Sequence, residues 1–133
     1  MPPERFPPDD PREWLNRARS NLARAKAQLP GVYLEDLCFD AQQAVEKAIK
    51  ALLIKRDVAF PYVHDLARLV TQLEASGQEI SEVVRQAEVL TRYAAVTRYP
   101  GLAEPVTEEH YQEAVTIAEA IVRWAEEQMG RQA

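Results

Sequence analysis

Five stretches of this chain repeat apolar residues every three to four positions, and none alternates apolar with polar residues as a half-buried strand would. Such a chain can bury its apolar stripes only by packing helix against helix, so the expected fold class is all-α. The longest stretch runs from about Leu34 to Arg56. Leu34, Leu37, Ala41, Ala44, Val45, Ala48, Leu52 and Leu53 mark its inner face, and its alanines permit close approach of a neighbouring helix. At 133 residues the chain has the length of one domain with one core.

Local signals set the expected boundaries. The first helix opens at Asp10-Pro11-Arg12-Glu13, where Asp10 can cap, Pro11 suits the first helical position and Glu13 can close a capping box. Its stripe is Trp14, Ala18, Leu22, Ala25 and Leu29, and Pro30-Gly31 stops it. After the loop from Asp57 to Val63, a third helix carries Leu66, Leu69, Val70 and Leu73 up to Gly77. Ser81 can cap a fourth, with Val83, Ala87, Leu90 and Ala94 inward and its end at Pro100-Gly101. Thr107 can cap a fifth, with Tyr111, Ala114, Val115, Ala118, Ile121, Val122, Ala125 and Met129 inward. Ile117 and Trp124 lie off that last stripe and either widen the core contact or face a second copy. Short connections between long helices predict a mostly up-and-down antiparallel five-helix bundle over residues 10–130. Residues 1–9, with Pro2, Pro3, Pro7 and Pro8, are expected to be an extended or disordered tail.

Composition excludes several classes. Apolar residues at 47% and charged residues at 28% are too apolar a balance for wholesale disorder. No run reaches the roughly 18 to 20 apolar residues a bilayer-spanning helix needs, and the N-terminus lacks an apolar segment behind a basic start, so a cytoplasmic protein without membrane contact is expected. A single cysteine, Cys38, rules out an internal disulfide and reads as a buried thiol. A net charge of −5 argues against a general electrostatic grip on nucleic acid, while leaving room for a local basic patch.

Few residues carry chemistry. Gln43, Lys47 and Lys50 share one polar face of the second helix and could line a groove for phosphate or a base edge; the alternative is a solvated face with an ion pair between Glu46 and Lys50. His64-Asp65 stands where the chain enters the third helix, either as a cap or as an anion-facing pair. There His64 could move a proton, given a partner that spacing does not reveal. On the fourth helix Arg85, Glu88, Arg92, Val96 and Tyr99 share an outer face. Arg98 extends the inner stripe and must find a carboxylate, a carbonyl or a ligand. Arg98-Tyr99 offers a planar fork for phosphate and a ring for stacking. His110 falls in the first turn of the fifth helix, as a surface residue. Two histidines far apart, with no HExxH and no Gly-rich phosphate loop, give no metal or nucleotide-hydrolase signature, and no cofactor is expected.

Ala41-Gln42-Gln43-Ala44-Val45-Glu46-Lys47-Ala48-Ile49-Lys50-Ala51-Leu52, then His64-Asp65-Leu66, then Arg98-Tyr99-Pro100, resemble the HEPN family in order and spacing. The likeness covers about Trp14 to Met129. It implies a small helical bundle, often a homodimer, that in prokaryotes is commonly encoded beside a minimal nucleotidyltransferase as a toxin and antitoxin pair. It further implies a nucleotide-binding or substrate-binding partner of that transferase. Many members are metal-independent ribonucleases, marked by an arginine, four to six further residues and a histidine. Here Arg98 is followed by Tyr99, Pro100, Gly101, Leu102, Ala103 and Glu104, and Arg56 precedes His64 with seven residues between. The chain therefore departs from the ribonuclease pattern, and the tyrosine that the transferase modifies in some members has no clear counterpart. Three readings stand. One is a non-catalytic nucleotide binder using Gln43, Lys47, Lys50, His64, Asp65, Arg92, Arg98 and Tyr99. Another is a divergent dimeric ribonuclease in which His64 or His110 meets Arg92 or Arg98, and the last is a pure interaction module.

Overall fold

The computed structural model describes residues 2–60, 62–94 and 105–131, and the described elements are all helical. They are α1 (Pro11–Lys26), α2 (Leu34–Lys55), α3 (Leu66–Ala75), a single turn α4 (Glu82–Arg85) that continues as a 3-10 helix (Gln86–Ala94), and α5 (Glu108–Gly130). The all-α expectation is met.

Contacts along the helices fix their directions. Asn21 of α1 meets both Asp40 and Lys47 of α2, and the Tyr111 hydroxyl of α5 donates to the Ala25 carbonyl at the far end of α1. Glu35, at the start of α2, accepts from the Val106 amide just ahead of α5. Lys55, at the end of α2, donates to the carbonyls of Gln128, Met129 and Arg131 at the end of α5. Thus α1 runs against α2 and α5, which lie parallel to each other.

The α2–α3 connection departs from the up-and-down rule. α2 ends in a Schellman turn: Asp57 adopts φ 58°, its amide bonds to Ile54, and the Val58 amide bonds to Leu53. The chain then runs back beside α2, with Val58, Phe60 and Val63 packed on the core. α3 consequently runs parallel to α2 and ends at the same pole, where Arg56 reaches the Ser76 carbonyl. Gly77 (φ 102°) closes α3 with a second Schellman turn, as the sequence predicts.

Three details differ from expectation. α1 stops at Lys26, with Ala27 as its C-cap, rather than at Pro30; Leu29 is left exposed, and Leu15 joins Ala18 and Ala25 inside. Glu13 closes no capping box: its carboxylate accepts from the Phe6 amide and from Arg17, while Asp10 alone caps. The fourth element is mostly 3-10, so Val84, Ala87, Leu90 and Tyr93 are buried at steps of three; Ala94 is buried as expected, and Val83 is only partly buried. Its expected end at Pro100-Gly101 lies outside the described residues.

The remaining core matches the pattern. Leu37, Ala41, Ala44, Val45, Ala48, Leu52 and Leu53 are buried on α2, Leu66, Leu69, Val70 and Leu73 on α3, and Tyr111, Ala114, Ala118, Ile121, Val122 and Ala125 on α5. Each buried Leu or Ile contributes about 1.5–3 kcal/mol. Ile117 and Trp124 are buried within the protomer, so they widen the core contact. Cys38 is fully buried, and burial pushes its thiol up to about 12. Thr107 caps α5 with His110 completing a capping box, which accounts for that surface histidine.

Candidate functional site

α2 carries two lines of polar residues, one through Asp36, Asp40, Gln43 and Lys47 beside α1 and one at every fourth position, Gln42, Glu46 and Lys50. The last three are all buried. A buried charge is tolerated only when paired and hydrogen-bonded. Glu46 meets that condition as a hub: Oε1 accepts from Gln42 Nε2 (3.0 Å) and lies 2.8 Å from His64 Nδ1, and Oε2 accepts from Lys50 Nζ (2.9 Å). Gln43 extends the chain by donating to Gln42 Oε1 at 2.7 Å. Burial pushes the Glu46 carboxyl upward, yet hydrogen bonds from His64, Gln42 and Lys50 outweigh it and hold the group below the usual glutamate range. Glu46 is therefore an anion at neutral pH, bonded on both oxygens.

The backward crossover brings His64 to this hub. Glu46 and His64 stand 18 residues apart and on different segments, and an antiparallel α3 would have carried His64 away from the middle of α2. The imidazole is fixed through Nδ1 while 57% of the side chain stays exposed, and no described residue bonds Nε2. A carboxylate on Nδ1 favours the proton there, so that Nε2 accepts in the neutral ring and donates in the imidazolium. Such a nitrogen can exchange a proton with a bound molecule or donate to a phosphate oxygen.

Aromatic rings cover the hub. The Phe60 ring lies 5.3 Å from the Lys50 ammonium and meets Trp14 edge to face at 6.0 Å. Beyond Trp14, Lys47 donates to Asn21 Oδ1 (2.8 Å) and lines a cleft of about 210 Å³ with Pro8, Glu13, Trp14 and Arg17. Burial lowers its ammonium pKa, with the Glu46 charge opposing that shift.

Measured against the expectations, the shared solvent-facing stripe of Gln43, Lys47 and Lys50 needs correcting. Lys50 is interior and spends its charge on Glu46, so their ion pair exists but is not solvated. Gln43 and Lys47 are partly buried. Asp65 caps α3 by accepting from the Arg68 amide, leaving His64 as the member of that pair directed to other work. Arg92 is exposed, with its guanidinium 5.1 Å from the Tyr93 ring; next to it, Thr91 accepts from the Leu66 amide. Arg92 therefore sits beside the start of α3 but takes no part in the hub. Arg98 and Tyr99 lie outside the described residues. Sequence reasoning overlooked Glu46 as the organiser and Phe60 with Trp14 as its cover. Its available signal was weak: Gln42, Glu46 and Lys50 interrupt the helix on a side away from the polar line of Asp36, Asp40, Gln43 and Lys47, so the two lines cannot both face water once α2 is packed on several sides. Among the described residues no three His, Cys, Asp or Glu side chains group as metal ligands, and no helix is long and apolar enough to cross a membrane.

The HEPN domain model matches residues 11–128, a span that contains the hub and nearly every helical residue. The chain belongs to the HEPN domain family. Two solved structures resemble it along most of their length. The crystal structure of TT1696 from Thermus thermophilus shares 35% identity with a TM-score of 0.74, covering 88% of this chain and 96% of that one. The crystal structure of ST0689, an archaeal HEPN homologue, shares 26% identity with a TM-score of 0.71, covering 90% and 97%. No functionally curated protein matches the chain.

Proposed function

We propose that this HEPN bundle is a non-catalytic binder of a nucleotide or of a nucleotide-bearing partner, with His64 as the group that meets phosphate. The observation that carries this reading is the exposed imidazole fixed by a buried carboxylate. The ring is oriented before any ligand arrives, which removes part of the ordering cost of binding. Phe60 and Trp14 nearby offer apolar surface for a base. In keeping with the resemblance, the bundle serves as the partner of a minimal nucleotidyltransferase in a toxin-antitoxin-like pair, as a cytoplasmic homodimer. A thermal-shift screen against ATP, ADP, AMP, GTP and short RNA tests the binding step, since a ligand of the folded form raises Tm through RT ln(1 + [L]/Kd). A shift that His64→Ala abolishes is expected; no shift with any of them at millimolar concentration sinks the reading. Co-expression with a minimal nucleotidyltransferase should yield a complex, and sedimentation at several concentrations tests the dimer.

The same pair favours a second reading, a divergent metal-independent ribonuclease. Glu46 orients His64 as a general acid or base needs to be oriented, although the arginine-histidine spacing of the family's ribonucleases is absent. Incubation with total RNA under chelation, using wild type, His64→Ala and Glu46→Gln, separates the readings. Cleavage lost in both variants would favour the enzyme, and equal cleavage by all three would point to a contaminant.

A further inference from the structure

Leu29-Pro30-Gly31-Val32 joins α1 to α2 in a tight turn, closed by the Val32 amide on the Leu29 carbonyl (3.3 Å) with Gly31 at φ 84°. The turn holds two apolar side chains in water, and Tyr33 follows at once. Among the described residues the exposed large apolar side chains are Leu29, Val32, Tyr33, Tyr62 and Val89. The first three stand together at this corner, while Tyr62 and Val89 belong to other segments. Tyr33 is 75% exposed and occupies the N-cap of α2 without a side-chain cap bond, where Ser, Thr, Asp or Asn would serve the helix better. The position is poorly filled for the fold of one chain, and an apolar patch carried on a fixed turn marks a contact surface.

Beside the turn lies an open cleft of about 400 Å³, walled by Leu29, Val32, Leu37 and Phe39, with Arg24 on its α1 side and Asp36 on its α2 side. Asp36 is exposed, and the Arg24 side chain is largely so, with its guanidinium 3.4 Å from the Asp40 carboxylate. A projecting tyrosine next to an apolar recess, with one charge of each sign at the rim, is complementary to itself. A two-fold axis between knob and recess seats each Tyr33 in the other copy's cleft and sets each Arg24 against the other copy's Asp36. The phenol suits such a recess, since its ring packs on the apolar wall while its hydroxyl stays at the polar rim.

We propose that the α1–α2 corner is the surface through which two copies of this chain associate, with Tyr33 as the anchor in the other copy's cleft and Arg24–Asp36 pairs at the rim. The inference rests on the homodimer part of the reading above and gives it a face. Ile117 and Trp124, the apolar residues of α5 that lie off its main stripe, are buried in the protomer and so offer no alternative face. An unrelated protein is the poorer fit, because the corner itself supplies the knob, the recess and both counter-charges.

Sedimentation equilibrium of the intact chain, from micromolar to near-millimolar concentration, measures the dimer, and two variants locate it. Tyr33→Ser removes the anchor and installs a capping residue, so Tm is expected to hold or rise while the dimer weakens about thirtyfold. Asp36→Lys sets two ammonium groups against two guanidinium groups and is expected to weaken the dimer at least about tenfold. An unchanged Kd in either variant overturns the corner and leaves a dimer built elsewhere. A wild-type chain that is monomeric throughout overturns the corner and the homodimer together, whatever the thermal-shift screen shows for nucleotides.

Discussion

Two faces of α2 are equally buried and are held by opposite physics. One packs Ala44, Val45, Ala48 and Leu52 against neighbouring helices with no polar atom to satisfy; the other interns Gln42, Glu46 and Lys50 under the crossover. The apolar face gains stability from nearly any arrangement that excludes water. The polar face is stable only in the arrangement that supplies each group with its partner, because a buried charge without one is far costlier than a buried methyl group is favourable. The first face accounts for the bundle, and the second accounts for why the chain after α2 turns back rather than onward.

Removing the hub should separate the two faces most. Glu46→Ala leaves the Lys50 ammonium interior without a counter-charge and should cost about 3–5 kcal/mol in urea denaturation. The double replacement Glu46→Met with Lys50→Leu should recover most of that loss. If the double variant is as unstable as the single one, the network matters through its shape and not through charge pairing.

On the apolar face, Leu52→Ala removes a side chain only 1% exposed and should cost about 2–5 kcal/mol through lost burial and the cavity left behind. No polar replacement at another position should rescue it, in contrast to the hub.

Acid should act on the polar face alone. The folded Glu46 carboxyl sits below its ordinary value of 4.5, so its contribution is fully present above that pH and is lost as pH falls through the lower folded value. Wild type should therefore lose stability below about pH 4.5 more steeply than Glu46→Gln, while Leu52→Ala keeps the wild-type slope. Parallel curves for wild type and Glu46→Gln would contradict the hub's ionic state.

The smallest effect is expected at the rim. His64→Ala removes one half-exposed hydrogen bond and leaves Glu46 with Gln42 and Lys50, so about 1 kcal/mol or less should be lost. The same variant should show faster amide exchange in the crossover around Val58 to Val63 with that of α5 unchanged.

The bundle was readable because periodicity reports which side of a helix is apolar, and the caps at Asp10, Thr107 and Gly77 fell where their chemistry requires. The hub was not readable from spacing. A four-residue interval between Glu46 and Lys50 looks alike on a wet surface and in a dry interior, and nothing local tells the chain after Asp57 to double back. The packing of Val58, Phe60 and Val63 against the core, together with the bond of His64 to Glu46, does so. In the fourth element Ala87, Leu90 and Ala94 are buried as the stripe predicts, and only Val83 gives way to Val84, with Tyr93 added. A stripe at 3.6 residues per turn picks Ala94, which is buried, but misses Val84 and Tyr93, which the three-residue turn brings to the same side as Ala87 and Leu90.

That three-residue turn gives the segment a tolerance unlike that of its neighbours. Ala87, Leu90 and Tyr93 form a straight row parallel to the axis rather than a winding stripe, with Ala94 buried beside its end. Lengthening the segment by a triplet would bring every following side chain back to the same azimuth. Adding four residues, which leaves an α-helix only about 40° out of register, would swing the rest of the row by about 120° into water. Across Gln86–Ala94, length variation is therefore counted in threes.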